Sequence, residues 1–165
     1  MAFVIKFADD NDFYANIDIK VGKGSGGWDD ILLVKALLKL IYSPNKGVYK
    51  SPLPKPLTVS SRFDNSTAIL IKHFQHRFQK MPRPDGVVSR TYERLISDAG
   101  KYTIIHLQLE AQRVLRLLEK PGTVLSYLRL TYPELVSSLS TKSAPGVMSE
   151  IASNEGGAHE IFRNP

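Results

Sequence analysis

The sequence predicts a mainly α fold: a three-helix bundle preceded by a short N-terminal β-hairpin and followed by further helices. Three observations predict it. Ile31, Val34, Leu37, Leu38 and Ile41 recur at three- and four-residue steps, which places them on one apolar helix face. Leu70, Ile71, Phe74 and Phe78 do the same forty residues on. Segments 3–7 (FVIKF) and 15–21 (ANIDIKV) instead alternate apolar and polar residues, the period of a half-buried strand.

Taken in order, the two strands flank Asp9-Asp10-Asn11-Asp12, a turn composition. That run lacks the alternating ligands, the glycine and the terminal Glu of an EF-hand, so no metal is expected there. Gly22 to Gly27 is a glycine-rich connector without the GxxxxGK[ST] order of a phosphate loop, so no nucleotide is expected either. Asp29 or Asp30 supplies an N-cap for the first helix. From Ser43 to Ser61, Pro44, Pro52, Pro54 and Pro56 block helix and remove ladder donors, which predicts an extended surface loop.

The second helix is expected from Ser66 or Thr67, capped by the Thr67 hydroxyl, to just before Met81-Pro82-Arg83-Pro84. Asp85-Gly86 then signals a tight turn into a short third helix through Tyr92, Leu95 and Ile96. Ile104, Leu107, Ala111, Val114, Leu115 and Leu118 keep helical spacing until Pro121-Gly122, although the β-branched start YTIIHLQL leaves a strand as an alternative. A last helix is expected from a Thr131 cap, with Pro133 near its first position, to about Ser140. Residues 142–165 are small, polar and glycine-containing, a composition expected to order only on a partner.

Composition narrows the function classes. A chain of 165 residues with 42% hydrophobic content supports one main domain plus appendages. Its formal charge of +6 favours an anionic partner, but the 22 Lys and Arg are dispersed and not interleaved with aromatics, so nucleic acid is not expected. Without cysteine there are no disulfides and no thiolate metal sites. Met1-Ala2-Phe3-Val4-Ile5-Lys6 is followed by acids and does not read as a signal peptide, and no apolar run reaches membrane-spanning length.

Three segments resemble the family of peptidoglycan-binding-like domains. Val21-Gly22-Lys23-Gly24 followed by Asp30 to Leu38 is similar to the opening "VGxGG…DVxxVQxLLN", with Lys35 at the usual Gln position. Phe63 to Gln75 is similar to "FGPxTxxAVxxFQ", with Phe63, Thr67, Ile71, Phe74 and Gln75 on matching positions. Asp85-Gly86-Val87-Val88, Thr91 and Leu95 resemble "DGxxGxxTxxxL", with Ser89 replacing a glycine. The resemblance implies a domain over 22–98, beside which the patterns above leave an N-terminal hairpin over 1–21, a helical extension over 99–141 and a tail over 142–165. It makes Thr67, Phe74, Gln75, Asp85, Gly86 and Thr91 structural motif residues. It also implies a shallow groove between the second helix and the Asp85-Gly86 turn, where Arg62, Asp64, Asn65, His73 and Arg90 would meet a stem peptide or glycan.

No catalytic set stands out. His73 and His76 lie three apart without a third ligand, His106 and His159 stand alone, and no GxSxG surrounds a serine. Glu110 and Glu119 would be an arbitrary carboxylate pair on a helix. The expectation is therefore a non-catalytic module without cofactor, binding a peptidoglycan fragment. The alternative is an interaction or cargo subunit of a bacteriophage-like or type VI contractile secretion machine. Either way, the chain is expected to be made in the bacterial cytoplasm and to reach the wall through such a machine or by lysis.

Overall fold

The computed structural model describes residues 2–6, 13–43, 48–90 and 102–141. Its elements are β1 (Phe3–Lys6), β2 (Phe13–Asn16), α1 (Trp28–Ile41), α2 (Asn65–Arg77), α3 (Thr103–Leu117), α4 (Val124–Thr131), α5 (Pro133–Ser138) and β3 (Ser140–Thr141). The fold is mainly helical. The turn expected at Asp9 to Asp12, the short helix through Tyr92, Leu95 and Ile96 with Thr91, and the tail 142–165 lie outside the described residues.

Helix α1 is the centre of the molecule. Ile31 to Leu38 are all buried, and so are Leu40 and Ile41, so the helix is covered on nearly every side. A helix apolar all round belongs in a core. Its cap differs from the expectation: Gly27 is the N-cap, and its amide donates to the Asp30 carboxylate (3.2 Å). Asp29 and Asp30 sit inside the first turn because their carboxylates are needed elsewhere. Asp29 accepts the Ala2 amide (2.6 Å), and Asp30 accepts the amides of Asp18 (3.0 Å) and Ile19 (3.3 Å). The two acids thus satisfy the N-terminal segment while opposing the positive end of the helix dipole.

Those same bonds explain why the second strand stops at Asn16 instead of running to residue 21. The Asn16 side chain accepts the Ile17 amide (2.9 Å), and the next two amides go to Asp30, leaving no donors for a ladder. Strand β1 is central in a sheet of order β2-β1-β3, antiparallel to β2 and parallel to β3. Gln108 of α3 seals the outer strand: its side chain accepts the Ala15 amide (2.8 Å) and donates to the Ala15 carbonyl (2.5 Å), as a neighbouring strand would.

Helix α3 resolves the helix-or-strand alternative at YTIIHLQL in favour of helix, because Ile104, Leu107, Ala111, Val114 and Leu115 then share one face. That face packs on α1. Leu33, Leu37 and Phe74 join Ile104, Leu107 and Leu128 in one apolar cluster. Burying each such side chain contributes about 1.5–3 kcal/mol.

Helix α4 was not anticipated from the pattern. Thr123 caps it by accepting the Ser126 amide (3.2 Å), and Gln112 of α3 holds the preceding turn by binding the Val124 amide (2.9 Å) and the Gly122 carbonyl (3.1 Å). Thr131 therefore ends α4 instead of capping the next helix. Tyr132 takes the cap position of α5, whose first residue is Pro133. Helix α5 stops at Ser138 because Ser140 and Thr141 pair with β1. No described helix is long and apolar enough to cross a membrane.

Candidate recognition face around the second helix

Helix α2 begins at a carboxylate that serves two partners. Asp64 is its N-cap, and Oδ1 accepts both the amide and the hydroxyl of Thr67 (2.8 Å each). The expected roles are thus reversed: Thr67 donates and Asp64 caps. The other oxygen, Oδ2, accepts the Lys35 ammonium at 2.7 Å. Lys35 is wholly buried, and its remaining donors go to Ser60 Oγ and the Arg62 carbonyl (3.0 Å each). Three donors meet three acceptors. Burial by itself would raise the Asp64 carboxyl, but the bonds from Lys35 and Thr67 outweigh it and hold it below the usual carboxylate range.

At its other end α2 grips a turn. Gln75 Nε2 donates to Asp85 Oδ1 (2.6 Å) and to the Val87 carbonyl (2.9 Å), while Gln75 Oε1 accepts the Gly86 amide (2.9 Å). Asp85 closes the turn on itself by accepting the Val87 amide (2.8 Å). Gly86 has φ +75, a conformation that favours glycine, and the flexible Lys72 side chain lies over it at 3.0 Å from where a Cβ would stand. Val88 then pairs with Val21, tying the turn to the glycine-rich connector (3.0 and 2.8 Å).

The five residues expected to line a groove do not converge. Arg62 and Asn65 are exposed beside Asp64 at the start of α2. His73 lies eight residues beyond Asn65, about 12 Å along the helix axis. It turns inward, with Nδ1 at 2.8 Å from the Tyr42 hydroxyl and the two rings edge-on at 5.5 Å. Arg90 donates to the Asp18 carbonyl (2.9 Å). Asp64, His73 and Arg90 are therefore committed to internal bonds. What α2 does present is a stripe at steps of four, three and four: Asn65, Ile69, Lys72 and His76 are all exposed, and Lys72 lies over Gly86.

A second cluster joins α1, α2, the proline-rich loop and α3, and reasoning from spacing missed it because its members lie far apart in the chain. The Tyr49 hydroxyl donates to Glu110 Oε1 in a short bond, and Arg113 Nη1 stands 3.7 Å from the same oxygen. The Arg77 guanidinium lies over the rings of Tyr49 (5.4 Å) and Phe78 (5.7 Å). Burial pushes the Tyr42 phenol far up, with Arg77 opposing and Glu110 and Tyr49 adding to it. Burial, and the hydrogen bond to Glu110, likewise raise Tyr49. Glu119 lies beyond the end of α3, exposed and with φ +53, whereas Glu110 is within the helix and engaged with Tyr49. Among the described residues, no group of three or more His, Asp or Glu could hold a metal ion.

Burial, and then the neighbouring Arg77 and His76, lower the His73 pKa. Neutral His73 is therefore favoured by folding. Its contribution to stability should be complete above about pH 6.5 and should fall as pH drops through the unfolded value toward the folded one. Thermal melts from pH 8 to 5 should show a steeper decline for the wild-type chain than for His73→Gln. Identical slopes would show that His73 titrates alike in both states.

No family model matches the sequence, and no curated protein or solved structure is significantly similar to it.

Proposed function

We propose that the chain is a non-catalytic module of the peptidoglycan-binding-like type, which takes a cell-wall stem peptide or glycan on the open face of α2 beside the Asp85-Gly86 turn. One observation carries this reading. The glutamine of the segment resembling "FGPxTxxAVxxFQ" bonds the Asp-Gly of the segment resembling "DGxxGxxT", ten and eleven residues away. Two pieces recognised separately in sequence thus work as one structural unit. The face next to it carries Lys72 and His76, which suits the carboxylates of a stem peptide.

Sedimentation with purified sacculi tests the proposal. Wild-type protein should pellet with sacculi, and Lys72→Glu should bind about fivefold more weakly, the effect of roughly 1 kcal/mol from reversing one exposed charge. No soluble muropeptides should be released. Protein that stays wholly in the supernatant would overturn the recognition role, and muropeptide release that one polar substitution abolishes would overturn the non-catalytic one.

A second reading, an accessory or cargo subunit of a phage-like or type VI contractile machine, is favoured by the outer face of α3. Leu109 (49% exposed) and Leu117 (57% exposed) stand there with the exposed Arg113 and Arg116, opposite the buried face. Enrichment of one protein partner from the native host, without sacculus binding, would select it.

A further inference from the structure

We infer that Arg77, which lies over the Tyr49 and Phe78 rings, is a receptor for a ligand carboxylate. The inference rests on the wall-recognition reading and names the chemical group read: the carboxylate of a stem peptide.

A guanidinium has two kinds of surface. Its faces are weakly hydrated and stack on aromatic rings, while its edges carry five N–H donors in a rigid fork that fits a carboxylate with two parallel bonds. In Arg77 the aromatic contacts are made, with Tyr49 at 5.4 Å and Phe78 at 5.7 Å. Arg77 is exposed, and among the described residues no acid or carbonyl accepts from its guanidinium. An arginine seated over two rings, with no described acceptor on its donors, is placed to meet an anion before any anion arrives.

The support beneath it is fixed from three directions. Phe78 rests on the buried Phe74 ring at 4.9 Å, and Tyr49 meets Phe78 edge-on at 4.9 Å. Glu110 of α3 anchors the Tyr49 hydroxyl, so the loop residue cannot swing away without breaking a bond to a carboxylate. Glu110 supplies one negative charge against the two positive charges of Arg77 and Arg113, its Oε1 receiving Tyr49 and standing 3.7 Å from Arg113. Arg113 is itself largely exposed, so the cluster keeps an excess of positive charge around Tyr49. His76 precedes Arg77 on the helix but points about 100° away from it, so Arg77 lies on the flank of α2 next to the exposed stripe and not on the stripe itself.

The test uses the full chain and a purified disaccharide-peptide fragment of peptidoglycan, in two forms: with free peptide carboxylates and with those carboxylates amidated. Calorimetry or NMR titration should show the amidated fragment binding roughly tenfold to a hundredfold more weakly, the range that a charge-assisted bidentate contact supplies. Arg77→Gln should lose the same factor for the free fragment, and Arg77→Lys should lose most of it, because the charge remains but the fork does not. Arg116→Gln removes an equal charge from the outer face of α3 and should bind as wild type. Melting temperatures of all three variants check that they fold. If wild-type protein binds sacculi but Arg77→Gln and amidation change nothing, the receptor is wrong and wall recognition stands. Equal losses for Arg77→Gln and Arg116→Gln would reduce the effect to diffuse charge and overturn the site. If wild-type protein binds neither fragment nor sacculi, both ideas fall.

Discussion

Replacing Asp64 with alanine should destabilise the protein by about 2–4 kcal/mol. Two losses add. The N-cap of α2 goes, because both the amide and the hydroxyl of Thr67 donate to Asp64 Oδ1, and a lost cap costs about 0.5–2 kcal/mol. The buried ammonium of Lys35 also loses its one anionic partner among the described residues, at 2.7 Å. Removing one member of a buried pair costs about 3–5 kcal/mol when the survivor is stranded. Here the figure is lower, because the Asp64 side chain is 45% exposed, water can follow it out, and Ser60 Oγ and the Arg62 carbonyl still serve Lys35. Asp64→Asn keeps an acceptor for Thr67 but loses the charge, so it should fall about midway.

Acid should reproduce part of this effect. The Asp64 pKa is depressed in the fold, so its stabilisation is present above the unfolded carboxylate value and is lost as pH falls through the folded one. Denaturant unfolding at neutral pH measures the substitution directly. An Asp64→Ala midpoint equal to wild type would show that Lys35 needs no carboxylate, and the account of the proline-rich loop's attachment to α1 would fail with it.

How far such features are legible in sequence depends on whether their cause is local. The face of α1 follows from Ile31, Val34, Leu37, Leu38 and Ile41 alone, and helix α2 from Leu70, Ile71 and Phe74, because helical period is written within a dozen residues. The cap of α1 is not local: Asp29 and Asp30 look like caps, but their oxygens serve Ala2, Asp18 and Ile19, leaving the cap to Gly27. Lys35 illustrates the same point more strongly. A lysine inside an apolar helix reads as a snorkelling surface residue, and nothing in the neighbouring sequence announces that residues 60, 62 and 64 will surround it.

The recognition face shows both sides of this. Gln75, Asp85 and Gly86 could be picked out together because they lie only ten and eleven residues apart, in a helix and the turn that follows it. Tyr49, Arg77, Glu110 and Arg113 could not, since they come from a loop and two helices up to sixty-four residues apart, from Tyr49 to Arg113. Asp64 and His73 were expected to meet a ligand because polar residues beside a motif are presumed free. Their bonds to Lys35 and Tyr42 depend on α1 packing beside α2, which only the fold decides.

Phe74→Ala should cost about 3–5 kcal/mol and lower the melting temperature by about 9–15 °C for a chain of this size. The ring is completely buried, and it packs beneath Phe78 at 4.9 Å with an interplanar angle of 30°. Removing it deletes transfer energy and leaves a cavity that Leu37, Ile71 and Leu107, already buried in the same core, cannot fill without leaving their rotamers. The consequence should extend beyond stability. Phe78 supports Tyr49 and, with it, Arg77, so loss of the ring beneath should loosen the proposed carboxylate receptor even at temperatures where the variant is folded. Phe74→Leu retains most of the volume and should cost well under half as much. The decisive measurement pairs thermal melting with fragment binding at 15 °C for both variants. An unchanged melting temperature in Phe74→Ala would refute the packing of α2. A large drop in stability with wild-type affinity would show that Arg77 holds its position without the aromatic support.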